Sequence, residues 1–436
     1  MTTSTRVVRQ GLVLLIGNVG SGLIQVAYTF ALARMLVPTD YGAYIALVSA
    51  FGIVGLATSG VQPTVARMIA RQNVPFTPAS VGSISNSPGS VLIAVTTVLI
   101  AGAMIAASQE IQFEFGLASP WPVWLLAPLT ALVVITPALR GTIQGSRHFT
   151  ALAVLSTADV VTRAAFGVTL GWLGGGVTGA IGAQLAGATI GLIATIAYLF
   201  YKRRTQPTPT ETIVPPSEHE AFPRHTLSKL VTSPETQSMI ASGCILVMLT
   251  LDAALGARFF NDEDTAIYSA VTILGRSQFY LSTTVATLLL PYAASSVRGN
   301  PKSALNYGLA VTGSLNAAGL LVLIAIPDLV VRVLYGQSYA SAAPLLWHYA
   351  LHSLILSLGN VVATYLIGCG NRSIGIVALG CTAFQIAAVT LWHPTLGSVI
   401  IDLGLGSAAF LGSGLLLVRS SQNLDQYVSQ HTQSDL

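Results

Sequence analysis

Two charged residues stand inside long apolar runs of this sequence, where lipid would make an isolated charge costly. Arg276 lies near the middle of one run, with no acidic residue three or four positions away. Asp252 lies in the run before it. Intramembrane charges pair with one another or mark substrate and ion pathways. We therefore predict a functional role for Arg276, and that Asp252 is its partner or an ion-sensitive acid.

Polar residues at helical spacing extend this pattern to two of the apolar runs. Asn18, Ser21, Gln25 and Tyr28 fall at i, i+3, i+7 and i+10 of the first run, which places them on one helix face. The run that contains Arg276 carries a similar stripe, in which Thr272 is included. Such stripes either line a water-filled binding site or form hydrogen bonds between helices. The predicted binding candidates are Asn18, Gln25, Tyr28, Thr272 and Arg276.

Asp159 and Arg163 form a third group, at i and i+4 of the fifth apolar run. They are candidates for ion coupling, although residues at this spacing can also neutralise one another as a structural pair. His348 and His352 share the same spacing without a carboxylate or cysteine nearby, so no metal site is predicted. We find no nucleotide motif, nucleophile with a base, or nucleic-acid-binding pattern. The sequence predicts neither an enzyme nor a cofactor.

The elements that position these residues follow from composition. Hydrophobic residues make up 53% of the 436 residues and charged residues 8%, against roughly 25% charged in a soluble domain. About 20 residues cross a membrane as a helix, and the runs are continuous and do not alternate as in a barrel. We predict an all-α polytopic membrane protein of about twelve spans. The predicted spans are 11–33, 42–66, 88–107, 121–139, 150–172, 177–201, 237–257, 266–292, 304–326, 342–367, 373–392 and 396–418.

Positive charge predicts the orientation of these spans. Most of the 20 Lys and Arg residues fall in the cytoplasm when both termini are placed there, whereas Arg34, Arg258 and Arg332 fall outside. The first run, residues 11–33, is too long for the apolar core of a signal peptide and is predicted to be a retained span. The outer loops are short, the longest being residues 110–120 and 328–341.

A Pro-rich segment, residues 202–236, predicts a cytoplasmic linker between two six-helix lobes, residues 1–201 and 237–436. The sequence Ala33–Tyr44, ARMLVPTDYGAY, is echoed 224 positions later by Ala257–Tyr268, ARFFNDEDTAIY. We call these two stretches the first and second corner. An even number of spans per lobe predicts a parallel repeat with a binding cleft between the lobes. Arg34 and Arg258 are then expected at the outer rim of the cleft, although snorkelling to the interface also explains them.

Longer stretches resemble a known family. They are LARMLVPTDYGAYIAL (32–47), LRGTIQGSRHFTALA (139–153), GGGVTGAIGA (174–183), LDAALGARFFNDEDTAIYSAVTILGR (251–276) and VRVLYGQSYASAAPLLW (331–347). These stretches are similar to the polysaccharide transporters, or Wzx-type flippases, of the multidrug/oligosaccharidyl-lipid/polysaccharide (MOP) exporter superfamily. They occur along the chain in the same order as in that family.

The resemblance implies two six-helix lobes that move a lipid-linked oligosaccharide across the cytoplasmic membrane by alternating access. A cationic cavity lining would hold the pyrophosphate and sugar head group, and Arg34, Arg258 and Arg276 are the candidates here. Membrane lipids and a glycan polymerase or glycosyltransferases are the expected partners. Lipid II flippases of the superfamily carry two additional helices, so lipid II itself is not the expected substrate.

Three alternatives stand beside this function. A multidrug or cation antiporter of the same fold would use Asp252 and Asp159 as coupling acids. A membrane-embedded glycan polymerase or ligase would need a large outer loop with catalytic residues, which this sequence lacks. A purely structural scaffold leaves the polar stripes unexplained.

Overall fold

The computed structural model describes residues 3–58, 62, 65, 88–146, 148–205, 234–294, 301–371 and 373–434. Most of the predicted linker, residues 206–233, lies outside these described residues. The described residues form α-helices, one 3₁₀ helix (Gln337–Leu345) and no strands. The α-helices are α1 Thr3–Met35, α2 Pro38–Thr58, α3 Pro88–Ala106, α4 Ser108–Glu114, α5 Trp121–Gly145, α6 Phe149–Trp172, α7 Gly176–Thr205, α8 Pro234–Phe259, α9 Asp262–Ala294, α10 Pro301–Ala325, α11 Pro327–Leu334, α12 Leu346–Gly368, α13 Ile374–Leu391 and α14 Leu396–Ser434.

Every predicted span corresponds to a long helix in this set, and the all-α polytopic fold is confirmed. Within the described residues, eight helices are both long and apolar enough to cross a membrane. The short helices α4 and α11 occupy the two segments that the sequence predicts as the longest outer loops. These loops are therefore helical in part and do not form separate domains.

Proline and glycine set several helix boundaries. Pro38, Pro88 and Pro301 begin helices, where the missing N–H of proline removes a donor that has no helical partner. Gly174, between α6 and α7, has φ of 77°, and Gly370, between α12 and α13, has φ of 72°. Residues with a side chain rarely adopt this left-handed conformation. The two glycines therefore allow tight turns between consecutive long helices.

The chain divides into two compact units. The first unit is Met1–Pro223 together with Phe260–Ala266. In this unit α6 packs against α1 and α7, and α5 packs against α7. An apolar cluster of Ile143, Leu152, Leu155 and Leu199 fixes the ends of α5, α6 and α7 against one another.

The second unit is Arg224–Phe259 together with Ile267–Leu436. Here α12 packs against α14 and α10, and α13 packs against α8 and α14. The core of this unit includes Met248, Leu249, Leu356, Leu366 and Phe410. The helix α9 thus begins in the first unit and continues in the second.

Candidate functional site

A buried ion pair joins α8 and α9 in the second unit. Arg276 Nη2 lies 2.7 Å from Asp252 Oδ1. Arg276 is 5% exposed and Asp252 is 2% exposed. Burying a carboxylate or guanidinium without a partner costs free energy, so each residue offsets the cost of burying the other. The structure brings together the two charges that the sequence places in neighbouring spans.

Two tyrosines complete the shell of this carboxylate. The hydroxyl groups of Tyr268 and Tyr349 donate hydrogen bonds to Asp252 Oδ2 over 3.0 and 2.8 Å. Arg276 Nη2 also donates to the backbone carbonyl of Thr250 at 3.1 Å. Hydrogen bonds to an ionised acceptor are stronger than those between neutral groups. Both carboxylate oxygens of Asp252 are therefore occupied.

Tyr349 reaches Asp252 from α12, far along the chain, and a glycine on α9 makes room for its ring. A Cβ atom at Gly275 would overlap the Tyr349 ring. The ring of Tyr349 also lies 6.3 Å from that of Tyr268 in an edge-to-face arrangement, which is favourable for aromatic pairs. Tyr349 is not indicated by the sequence pattern, although Gly275, directly before Arg276, is a signal for close packing at that level of the helix.

A narrow cavity with room for about one water molecule borders Asp252 between α8, α13 and α14. Thr382, Gln385 and Leu403 contribute to its wall. Gln385 Nε2 donates to the carbonyl of Met248 at 3.0 Å. Its Oε1 atom has no hydrogen-bond partner among the described residues. The cavity is far too small for an oligosaccharide, but water or a small cation fits beside the carboxylate.

The two histidines of α12 have different surroundings. His352 is buried, with Nδ1 3.0 Å from Ser407 Oγ on α14. Its ring lies 5.2 Å from that of Tyr349, at the edge of the Asp252 cluster. His348 is half-buried, and its Nδ1 atom lies 3.2 Å from the carbonyl of Pro344. In the described part of the chain, no three His, Cys, Asp or Glu residues form a group able to hold a metal.

A second charged cluster lies in the first unit, around Asp159 of α6. Arg163 Nη2 is 3.2 Å from Asp159 Oδ1, and Arg140 Nη2 of α5 is 3.4 Å from Oδ2. Arg163 Nη1 also donates to Gln25 Oε1 of α1 at 3.4 Å. The cluster therefore unites three predicted candidates with Arg140. From the sequence, Arg140 is predicted only as a cytoplasmic charge, because it lies near the inner end of its span.

Glycines of α7 leave the space for this cluster. A Cβ atom at Gly187 would lie 2.8 Å from Arg163 Cβ, and one at Gly191 would lie 3.2 Å from Asp159 Cβ and 3.1 Å from Arg140 Nη2. The two glycines are one helical turn apart and face α6. A helix surface without side chains thus lets the charged residues fit between α5, α6 and α7.

The other polar candidates have more local contacts. Tyr28 is buried, and its ring occupies the space that a side chain at Gly167 would need. Thr272 is buried and donates to the carbonyl of Ser269 on its own helix at 3.0 Å. Asn18 belongs to α1, but its side chain lies outside the described residues. Ser21 Oγ of the same stripe lies 3.0 Å from Thr157 Oγ1, so part of the stripe joins α1 to α6.

Arg34 and Arg258 occupy equivalent places in the two corners. Each lies in the last turn of its helix, α1 or α8, and each is exposed. A cation in the last turn interacts favourably with the helix dipole. In the first corner, partial burial raises the pKa of Asp40, which lies near Gly176 at the start of α7. The two arginines belong to different units, and their role at a common rim stays a prediction.

The charged cluster of each unit is built from ion pairs and hydrogen bonds. Each contains a carboxylate held by arginine, and neither combines a nucleophile with a base in hydrogen-bonding geometry. The apolar helices show a multi-pass membrane protein. Its fold is that of the transporters and flippases of the MOP superfamily. The model of one family, described as "Polysaccharide biosynthesis protein", matches residues 7–297, more than half of the chain. The chain belongs to this family, as the sequence resemblance predicted.

Solved structures of low sequence identity share the fold. The chain is similar to "Lipid II flippase MurJ, inward closed conformation" with a TM-score of 0.69 and 14% identity, over 94% of this chain and 87% of that one. An inward-facing MATE multidrug resistance transporter of the MOP superfamily matches with a TM-score of 0.63 and 15% identity, over 95% and 99%. The eukaryotic MATE transporter AtDTX14 matches with a TM-score of 0.64 and 13% identity, over 94% and 96%. No curated protein sequence matches the chain.

Proposed function

We propose that this protein is a flippase that moves a lipid-linked oligosaccharide, of the polyprenyl-pyrophosphate type, from the inner to the outer leaflet of the cytoplasmic membrane. Transport would proceed by alternating access, with both termini in the cytoplasm, and would supply cell-surface polysaccharide synthesis. Membership of a polysaccharide biosynthesis family supports the glycan part of this proposal. Glycosyltransferases and a glycan polymerase are then the expected partners before and after the transport step.

The observation that carries the proposal is the ion pair of Arg276 and Asp252. A pyrophosphate is an anion of the kind that arginine binds with two parallel hydrogen bonds. In the structure Asp252 binds the guanidinium through one carboxylate oxygen, with Arg276 Nη2 2.7 Å from Oδ1. In our proposal the head group and Asp252 compete for Arg276. Because one anion replaces another, the guanidinium is never left without a counter-charge in a medium where this would be costly.

A coupling ion enters this exchange at Asp252. Protonation of the carboxylate, or a cation in the adjoining cavity, would weaken its attraction for Arg276 and favour binding of the head group. Tyr268 and Tyr349 orient the carboxylate and oppose that change, since both donate to Oδ2. Arg34 and Arg258, both exposed, are proposed as further cationic contacts for the head group.

Reconstitution into phosphatidylcholine vesicles tests the proposal. A short-chain polyprenyl-pyrophosphate oligosaccharide is incorporated, and the fraction accessible to an impermeant glycan-modifying reagent is followed with time. The wild-type protein is expected to make the inner pool accessible, whereas Arg276→Ala is expected to slow this at least about tenfold. Arg204→Gln, an exposed arginine at the end of α7, is the control. Equal rates in vesicles with and without wild-type protein would overturn the proposal.

A multidrug or cation antiporter is the second candidate function. The observation that favours it is the cavity beside Asp252, which accepts a small cation but not a glycan. Asp252 and Asp159 would then be the coupling acids. In the same vesicles, an imposed proton or sodium gradient would drive uptake of an organic cation such as ethidium, and Asp252→Asn would abolish this uptake. Gradient-driven ethidium transport without movement of the lipid-linked sugar would decide for the antiporter.

A further inference from the structure

Two guanidinium groups share one carboxylate in the first unit. Arg140 and Arg163 contact different oxygens of Asp159, at 3.4 and 3.2 Å. The side chains of Arg140, Asp159 and Arg163 are 12%, 13% and 23% exposed. Neither arginine has a second ionic partner among the described residues. The cluster therefore carries one uncompensated positive charge in a largely buried position.

Donors of both arginines remain unused as well. Within the described part of the chain, Nε of Arg140 and Nε of Arg163 are buried and have no hydrogen-bond partner. The remaining contacts of these arginines are neutral and long, to the carbonyl of Leu155 and to Gln25 Oε1, both at 3.4 Å. Buried donors are nearly always paired in folded proteins, so such atoms need an explanation. An additional acceptor would satisfy them.

The position of the cluster within the bilayer indicates where that acceptor comes from. Arg140 lies five residues before the end of α5 at Gly145, and Asp159 ten residues after the start of α6 at Phe149. At about 1.5 Å per residue, these positions are roughly 8 and 15 Å from the helix ends. With the orientation predicted from the positive charges, both ends are cytoplasmic. The charged cluster then lies at the depth between the inner headgroups and the middle of the membrane.

We propose that Arg140 and Arg163 form a binding site for a phosphate or pyrophosphate group on the inner side of the first unit. Asp159 occupies the site as a weaker internal counterion, and Gln25 adds a polar contact. The anion would take the free Nε donors and neutralise the surplus charge. The identification of this anion with the transported lipid rests on the proposed function. The phosphate of an acidic phospholipid and free pyrophosphate offer the same chemistry.

A purely structural role explains the geometry less well. One arginine suffices to neutralise Asp159, and the i, i+4 partner Arg163 is already on the same helix. Arg140 adds charge from α5 without a second carboxylate. The surplus has a measurable consequence. Removing Arg140 leaves a neutral Asp159–Arg163 pair, which is expected to fold in the absence of anions, whereas Asp159→Asn raises the local charge and is expected to strengthen anion binding.

Binding is measured on the full-length protein in nanodiscs by scanning fluorimetry of its tryptophans. One set of phosphatidylcholine nanodiscs receives inorganic pyrophosphate and a second contains polyprenyl pyrophosphate. A third contains phosphatidylglycerol in place of part of the phosphatidylcholine. Chloride at equal ionic strength controls for screening. The variants are Arg140→Gln, Arg163→Gln and Asp159→Asn, and the exposed Arg204→Gln is the matched control.

We expect polyprenyl pyrophosphate to raise the melting temperature of the wild type and of Arg204→Gln alike. Arg140→Gln and Arg163→Gln should bind about tenfold more weakly, and Asp159→Asn more tightly. A response to inorganic pyrophosphate alone, or to phosphatidylglycerol alone, would support the site with that source of phosphate. No response of the wild type to any of the three, or an unchanged response in Arg140→Gln, would overturn the site.

The outcome is separable from the proposed function. If wild-type protein moves the lipid-linked sugar in vesicles but shows no anion response, the proposed function is supported and the anion site is refuted. If the protein binds pyrophosphate through Arg140 but moves no lipid-linked sugar, the anion site is supported and the proposed function is refuted.

Discussion

Gly42 and Ala266, which hold the same position in the first and second corner, pack directly against one another. A Cβ atom on Gly42 would lie 2.9 Å from both the N and the Cα atom of Ala266 and 3.2 Å from the carbonyl carbon of Thr265. All three residues belong to the first unit. The start of α9 therefore approaches α2 at backbone distance, which only a glycine on α2 permits.

This contact predicts that Gly42→Ala is destabilising. The added methyl group meets backbone atoms of Ala266, which cannot rotate away, so α2 and the start of α9 must separate. Overpacking of this kind costs about 1–3 kcal/mol. Thermal unfolding of the detergent-solubilised protein measures the effect, and Gly102→Ala on α3, which has open space around it, is the control. Equal melting temperatures for the two variants would contradict the contact.

The ion pair predicts strong coupling between Asp252 and Arg276. Asp252→Asn leaves a buried guanidinium without its counter-charge, and loss of one member of a buried pair costs about 3–5 kcal/mol. Asp252→Asn combined with Arg276→Gln should cost clearly less than the sum of the single changes, because the double variant buries no charge. A double-mutant cycle of unfolding free energies measures this coupling. The exposed Arg204→Gln should change stability by less than about 0.5 kcal/mol.

Removal of the Tyr349 hydroxyl is predicted to lower the stability of the fold, because Asp252 loses a hydrogen bond. Tyr349→Phe deletes a hydrogen bond of 2.8 Å to the carboxylate and should cost about 1.5–3 kcal/mol of stability. Tyr268→Phe should have a smaller or similar effect, and the two should not be additive because they share Oδ2. The comparison is Tyr307→Phe, an exposed tyrosine of α10. A loss as large in Tyr307→Phe would show that the effect does not depend on a hydrogen bond to the carboxylate.

The glycine surface of α7 predicts a difference between two alanine substitutions on one helix. Gly187→Ala places a methyl group 2.8 Å from Arg163 Cβ and 3.1 Å from its Cα atom, so α6 and α7 must move apart, at a cost of about 1–3 kcal/mol. Gly182→Ala meets only side-chain atoms at 3.8 Å or more and should be neutral or stabilising by up to about 1 kcal/mol. Melting temperatures in the same detergent compare the two directly. The reverse order would refute close packing of α6 on α7.

The helical architecture could be predicted because continuous apolar runs leave the backbone no other way to satisfy its hydrogen bonds in lipid. Asp252 could be proposed as the partner of Arg276 for a similar reason. Each charge needs a counter-charge, and few are available in neighbouring spans. The pairing of Asp159 with Arg163 could be predicted from their spacing alone, because they are one turn apart on a single helix.

Residues contributed by distant helices were not predictable in this way. Tyr349 reaches Asp252 from α12, and its approach depends on the rotation of α12 about its axis and on the absence of a side chain at Gly275. Arg140 reaches Asp159 from α5 because Gly191 leaves space for both. Hydropathy gives the length of a span and not the rotation that decides which neighbours its polar residues meet.

The assignment of Phe260–Ala266 to the first unit also affects how the protein can be divided. The Pro-rich segment looks like the natural place to split the chain into two genes. A fragment that ends there lacks the residues that cover Gly42, and the other fragment begins α9 with a turn whose packing partner is on a different polypeptide. Two halves produced from separate genes would therefore have to associate to restore the contact between Gly42 and Ala266.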